Sequence, residues 1–485
     1  MRTPGLDHPR GEVTIVPKGA QTQSQATVGD WLAPVGFLAG WTFWVLPTGW
    51  ALLNGIHPVE AILASGSADG GGPHAKLAWF VAGLIPIATA YPGLPRALPR
   101  LSPHQRLAFY GLYAGLAVVS LPLLSHDMLS FMAEARLVDH YQLNPMLTPI
   151  DRVPGWRHDP WLRQAGWVHQ PNPYGPCWFW WMALVGTIAP PFWPQFLVMK
   201  AANLLAAAVT ARFLARRWGR AAAISFGCHP LVGIELLANG QNDAWMVALM
   251  VVGYDQYLRK RYARFGMAWS LAVGIKFVPL VLLPILIMAL RTEAAATTLG
   301  VGILVLAAAY APFWRGAEVL AVPLANQGLF LRSLDFVIQG VFSHFWIHRR
   351  AENRSWSVDL GTLGFLAIGW HRARMWLRTA DPRWLGDTFL ALALIGLSWF
   401  QYWYLIWALP FYLISPGHRA RRMVLWLAWC ELARGWAWAV PLTMTNREIV
   451  QVAWIWTTLL ASLAWPLDWR SSISARVSRG AGNKK

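Results

Sequence analysis

Apolar residues come in long blocks, near 32–53, 76–92, 106–124, 174–192, 195–214, 220–238, 242–258, 265–290, 294–313, 357–377, 385–415, 422–441 and 448–466. Most are about as long as a helix needs to cross a hydrocarbon core. The pattern predicts an all-α integral membrane protein, a polytopic bundle of roughly 12 to 14 transmembrane helices. Two blocks are too long for one straight helix and carry prolines in "GIKFVPLVLLP" and "WFQYWYLIWALP". Proline removes a helix hydrogen bond, so both are expected to be broken. Between residues 125 and 173 the chain turns polar and rich in Pro and Trp. Within it, Met128, Phe131, Met132, Ala135 and Leu137 recur at helical spacing. This stretch predicts an amphipathic helix over 127–141 lying on the membrane surface, followed by irregular backbone draped over the bundle.

Composition agrees with that reading. The 485 residues are 56% hydrophobic and only 13% charged, about half the charged share of a typical soluble domain. The net charge of +18 would suggest nucleic acid in a soluble protein. Here the Lys and Arg residues gather in short loops such as "RALPR", "ARRWGR", "RKRYARF", "HRARMWLR" and "GHRARR". That is the positive-inside pattern, and it assigns these loops to the cytoplasm. Loops 54–75, 125–173, 239–243 and 314–356 then fall outside. The blocks between 173 and 212 must make an odd number of crossings, which favours block 174–192 not spanning the membrane fully. Residues 1–30 read as a disordered cytoplasmic tail, 31–467 as the membrane domain and 468–485 as a basic cytoplasmic tail. No signal-peptide pattern opens the chain. Three cysteines, Cys177, Cys228 and Cys430, have no spacing that suggests disulfides or zinc.

Candidate chemistry collects on the predicted outer face. Asp127 is read either as a general base at the membrane boundary or as a helix cap, and His126 either as a phosphate contact or as a headgroup-level residue. "ANGQNDAW" puts Asn239, Gln241, Asn242 and Asp243 between two membrane blocks, where a polar cluster points to function. Asp243 opens a helix, where a carboxylate also suits the dipole. Lys276 lies inside an apolar block, either poised for phosphate or snorkelling to the interface. Gln401, Tyr402 and Tyr404 fall at the outer end of the second broken block, where aromatics also serve as belt residues.

These residues resemble a known family. "SHDMLSFMAEARLVDHYQLNP" is similar to the opening of the large outer loop in bacterial polyprenol-phosphate mannosyltransferases, which belong to the GT-C class of membrane glycosyltransferases. "PNPYGPCW", "NGQNDAW", "GIKFVPLVLLP" and "FQYWYLIWALP" resemble four further elements of that family, in order, from about 106 to 415. Gln241 departs from the family's usual His, and Met146 from its usual aromatic. The resemblance implies a GT-C fold and inverting hexosyl transfer, mannosyl by analogy. The donor it implies is a polyprenyl-phosphate sugar and the acceptor a lipid-linked or polysaccharide chain, on the outer face of a bacterial plasma membrane. It implies Asp127 as catalytic base. Arg136, Asn144, Tyr174, Asn242, Asp243, Lys276 and Gln401 match positions near the substrates. Arg332, His126 and Tyr404 join them as donor or acceptor contacts. A monophosphate leaving group makes metal optional, and no cofactor is expected. Two other classes fit the same sequence: a polymerase or ligase using a diphosphate lipid donor, for which the loop arginines Arg136, Arg152, Arg157 and Arg163 speak, and a flippase of lipid-linked sugars, which would show inverted repeats.

Overall fold

The computed structural model describes residues 27–53, 73–122, 124–188, 192–320, 333–334, 338, 350–430 and 444–464. The two expected tails beyond residues 27 and 464, most of the loops 54–75 and 314–356, and Arg332 lie outside the described residues. The regular structure is helical throughout: α1 Val28–Leu53, α2 Pro73–Ala90, α3 Pro103–Val119, α4 Asp127–Asp139, α5 Pro176–Ile188, α6 Phe192–Trp218, α7 Arg220–Gly227, α8 Asp243–Leu258, α9 Tyr262–Ile275, α10 Leu283–Met288, α11 Thr292–Tyr310, α12 Arg350–Thr379, α13 Arg383–Ala391, α14 Leu409–Leu413, α15 His418–Trp429 and α16 Met444–Ala464. This is an all-α membrane architecture compatible with the GT-C fold. Among the described residues, Trp193–Trp218 and Thr292–Tyr310 are long and apolar enough to cross a membrane as single helices, and a third candidate is the bent pair Arg220–Gly227 and Val232–Ala238.

Breaks explain why so many apolar blocks fail to form one straight helix. The block 265–290 divides as expected: α9 stops at Ile275, Lys276 is extended (φ −150°, ψ 134°), and a 3₁₀ turn Val278–Val281 precedes α10. The block 385–415 also divides. After α13 come a π-helical turn Leu392–Gly396, extended chain, a 3₁₀ turn Tyr402–Trp407 and α14. A third break falls where a single helix over 220–238 was expected. His229–Pro230 ends α7, and the chain resumes as a π-helix, Val232–Ala238, at 61° to it. Pro230 cannot donate to the ladder, which accounts for the kink. In lipid, irregular backbone survives only where protein covers it or a cavity faces it. Block 174–192 holds only the 13 residues of α5, about 20 Å of helix against a hydrocarbon core of about 30 Å.

One expectation is overturned. α4 does not lie on a surface as an amphipathic helix. Met128, Leu129, Phe131, Met132 and Ala135 pack into the main core, while Ala133 and Leu137 pack on the other side against Ile150, Val153 and Leu162. Loop 141–170 folds over the helix with a small core of its own, so α4 is buried on both faces. Asp159 organises that loop. It accepts hydrogen bonds from Arg136 Nε and Tyr141 Oη, each at 2.9 Å, and from the N–H groups of Trp161 at 2.9 Å and Leu162 at 3.1 Å. Burial opposes its charge, but these donors hold its pKa below the ordinary aspartate value.

Candidate active site at the helix breaks

The corner between the 232–238 π-helix and α8 is clamped from two sides. Lys200 of α6, fully buried, donates its ammonium to the carbonyls of Leu237 and Ala238. One turn on, Asn203 Nδ2 donates to Leu236 O at 3.0 Å and Gln241 O at 3.1 Å. The carbonyls of Leu236, Leu237 and Ala238 lie where a helix ends and leaves such groups without intrahelical donors, while Gln241 O also accepts Ala244 N–H at 3.3 Å. On the other side, Asn239 Oδ1 accepts from Leu124 N–H at 3.4 Å, Asn239 Nδ2 donates to Glu235 Oε2 at 2.9 Å, and Gln241 Nε2 donates to Ser125 Oγ at 2.9 Å. The corner therefore carries the start of α4, and with it Asp127, to the start of α8.

Asp243 opens α8 and is fully buried. It does not cap that helix. Its carboxylate receives Lys276 Nζ at 2.9 Å and Trp407 Nε1 at 2.5 Å. Lys276 turns inward instead of snorkelling: its ammonium stands 5.6 Å from the Tyr174 ring centroid, 5.1 Å from Tyr404 and 5.6 Å from Trp407. Tyr404 stacks on Trp407 with centroids 4.3 Å apart, inside the protein and not in an interfacial belt. The breaks in blocks 265–290 and 385–415, the corner before α8 and the end of the 125–173 loop thus deliver side chains to one cluster. Such a cage of aromatic faces holds a cation in place.

Tyr174 reaches this cage because two backbones touch. Gly175 N–H donates to Ile275 O at 3.0 Å, and a Cβ built on Gly175 would collide with the Gly274 carbonyl. Only glycine permits that approach. The preceding turn is fastened to α4: Asn172 Oδ1 accepts from Tyr174 N–H at 2.9 Å, and the amide donates to Glu134, which also accepts Trp178 Nε1 at 3.2 Å. Glu134 is buried, and desolvation raises its pKa well above the ordinary glutamate value.

Asp127 is the first residue of α4, but His126 holds the cap position and no side chain caps the helix, so the capping alternative does not describe it. Asp127 is half-buried. Burial raises its pKa above the ordinary aspartate value; the Gln241 amide and the Lys276 charge pull the other way, and Glu235 and Asp243 add to the rise. Beside it, Gln241 Oε1 and both amide atoms of Asn242 are buried without a partner among the described residues. Unmet hydrogen-bonding groups are costly in a protein interior. Three of them next to a carboxylate and a caged lysine form a place that a hydroxyl-rich ligand would satisfy.

Of the residues singled out from the sequence, the structure gathers Asp127, Tyr174, Asn242, Asp243, Lys276 and Tyr404, with His126 adjacent in the chain. Gln401 is buried at the start of the 402–407 turn, where its carbonyl accepts Tyr404 N–H at 3.0 Å. Two residues are employed elsewhere. Arg136 is committed to Asp159, and Asn144 ties a turn by donating to Phe313 O at 2.7 Å and accepting from Met146 N–H at 3.0 Å. Arg152, Arg157 and Arg163 are exposed on the loop. Trp407, Glu134, Lys200 and Asn203 were not found from the sequence. Lys200 carried a signal, since a lysine inside an apolar block asks for a partner; Trp407 carried one too, as part of the motif "FQYWYLIWALP", but was not singled out as a site residue.

Comparison with known proteins now adds to the geometry. Residues 33–292 match the MptA_B family, described as "Alpha-(1->6)-mannopyranosyltransferase, N-terminal domain". The span includes Asp127, Asp243 and Lys276 and ends before Tyr404 and Trp407. No curated protein matches the chain.

Proposed function

Since the chain belongs to the MptA_B family of alpha-(1->6)-mannopyranosyltransferases, a family of membrane glycosyltransferases that act on a sugar donor and an acceptor, we propose that it moves a mannosyl residue from a polyprenyl-phosphate sugar to a lipid-linked or polysaccharide acceptor on the outer face of the membrane, with inversion. The observation that carries this reading is the meeting of Asp127, Asp243 and Lys276, beside Gln241 Oε1 and an Asn242 amide that have no partner among the described residues.

The steps follow from the chemistry of those groups. Asp127 takes the proton of an acceptor hydroxyl, whose oxygen forms a bond to the anomeric carbon. The bond from that carbon to the phosphate oxygen breaks on the opposite face, and the lipid phosphate departs with one more negative charge. Lys276 offsets that charge; it is already held in place, so little reorganisation is needed at the moment of reaction. Gln241 and Asn242 supply the donors and acceptors that orient sugar hydroxyls. The polyprenyl chain stays in the bilayer. The basic loops at the other ends of the helices support an outer site. The diphosphate-donor reading loses ground, because Arg136 is paired and the other three loop arginines point to solvent.

Asp127→Asn is the test. Loss of a general base costs on the order of 10²- to 10⁴-fold in rate. A variant that transfers mannose at close to the wild-type rate overturns the assignment. The pH dependence has a definite sign. Asp127 must be deprotonated to act, so the rate falls as pH drops through its folded pKa, which lies above 3.8. Stability runs the opposite way: a carboxyl whose folded pKa is raised is stabilised by protonation and loses stability as pH rises through the window above its unfolded value. The amide in Asp127→Asn removes that penalty, so the inactive variant should melt no lower than wild type.

A further inference from the structure

Outside the cluster, one segment of the loop is held in a backbone conformation that its side chain disfavours. Trp167 has φ +58°, the left-handed region that a bulky residue enters only when its surroundings force it. They do so here from both flanks. Gly166 N–H donates to Ser130 Oγ at 3.0 Å, Asp151 N–H to Val168 O at 3.0 Å, Gln170 N–H to Trp167 O at 3.1 Å, and His169 Nδ1 lies 2.7 Å from Asp151 Oδ2. The result is a contact between distant segments: the Trp167 ring meets Trp399 edge to face, with centroids 4.9 Å apart and planes at 76°.

Both rings are tethered to the cluster. Ser130 stands one helical turn after Asp127 on α4. Trp399 lies in the extended break that leads into Tyr404 and Trp407. Trp167 remains 56% exposed, and Trp399 is half-buried. A tryptophan serving only as an interfacial belt residue requires neither a strained backbone nor a partner on another segment. Rings fixed in this way suit a recognition surface, since they lose little freedom when a ligand stacks on them.

We propose that the Trp167–Trp399 pair is a stacking platform for a saccharide ring of the acceptor, one or more sugars away from the hydroxyl that reacts. The C–H face of a pyranose packs on an indole face as another apolar surface does, and the neighbouring polar groups of His169 and Gln170, both exposed, border it. The proposal rests on the mannosyl-transfer reading, which it deepens by giving the acceptor a length.

The test uses full-length protein in nanodiscs with polyprenyl-phosphate mannose as donor and octyl glycosides of one, two and four α-(1→6)-linked mannoses as acceptors. In Trp167→Ala and Trp399→Ala, KM for the tetramannoside should rise about tenfold, the loss of one good stacking contact, while KM for the monomannoside and kcat stay near wild type. Trp167→Tyr should recover most of the loss. Trp167→Gly relaxes the backbone and should raise the melting temperature, yet show the same rise in KM. Equal KM changes for all three acceptors, or a wild-type tetramannoside KM in Trp167→Gly, would overturn the platform. Binding is read separately, by tryptophan fluorescence with the tetramannoside in the Asp127→Asn background without donor. Quenching there that disappears when Trp399→Ala is added supports the platform even if Asp127 proves not to be the base; no quenching sinks the platform and leaves the transfer mechanism standing.

Discussion

Lys200 and Lys276 are two lysines in apolar blocks, and they meet opposite fates. Lys200 lies in the middle of an unbroken helix, and its ammonium is used up by two backbone carbonyls at the end of the 232–238 turn. Lys276 lies where a helix stops; it faces a carboxylate and three aromatic rings. The first cation is spent on holding backbone together. The second is held by side chains that could yield part of its charge to an incoming anion. A buried charge is costly in either place, so burial alone does not distinguish a structural lysine from one at a reaction site. The partners do: fixed carbonyls on one side, a shared carboxylate beside unmet hydrogen-bonding groups on the other.

That contrast can be broken most sharply at Lys276. Lys276→Met alone would strand the Asp243 charge, so the informative variant pairs it with Asp243→Asn. The double variant should fold and lose transfer by on the order of 10²- to 10³-fold, the scale of a removed electrostatic contact to developing charge. Donor binding should weaken with it, measured by equilibrium titration with polyprenyl-phosphate mannose. Unchanged transfer would make Lys276 as structural as Lys200. Next in size is Gly175→Ala, whose methyl group meets the Gly274 carbonyl. Overpacking of this kind costs about 1 to 3 kcal/mol, and it should displace Tyr174 from the cage, so donor KM rises together with a fall in melting temperature. Lys200→Met should cost about 1 to 3 kcal/mol by leaving buried carbonyls without donors. At temperatures where the variant is folded, kcat should remain within a few-fold of wild type; a loss as deep as that of the Lys276 variant would erase the distinction between the two. The smallest effect belongs to Arg136→Gln. Its pair with Asp159 is partly exposed, with the arginine side chain 30% accessible, and is worth roughly 0 to 1 kcal/mol. Transfer should be nearly unaffected, in contrast to what its position in the loop motif implies.

Much of this molecule can be read from local patterns. Runs of apolar residues announce membrane helices, because the hydrocarbon core tolerates little else over that length. Prolines in "GIKFVPLVLLP" and "WFQYWYLIWALP" announce two breaks, since a missing N–H acts on its own chain neighbours. Pro230 carried the same signal within block 220–238, yet the break there came to light only in the structure. Asp127, Asp243 and Lys276 stood out because ionisable groups are rare in apolar surroundings and so are visible against them.

Other features depend on what a residue meets across the fold, and no local pattern holds that information. Arg136 and Asn144 sit in the same motif as Asp127, but Asp159 and the Phe313 carbonyl claim them. The apolar spacing of α4 specified a helix without specifying how many sides would be covered, and the loop core around Ile150 and Leu162 buried the side expected to face outward. Trp407 lies in the motif "FQYWYLIWALP", but that it serves Asp243 is decided only by a hydrogen bond to a residue 164 positions away in the chain. Helix and span follow from short-range sterics and transfer free energy, which each segment carries within itself. The cluster joining Asp127, Asp243 and Lys276 exists because two helix breaks, the corner before α8 and one Gly–Gly contact bring distant segments together, and only tertiary packing decides that.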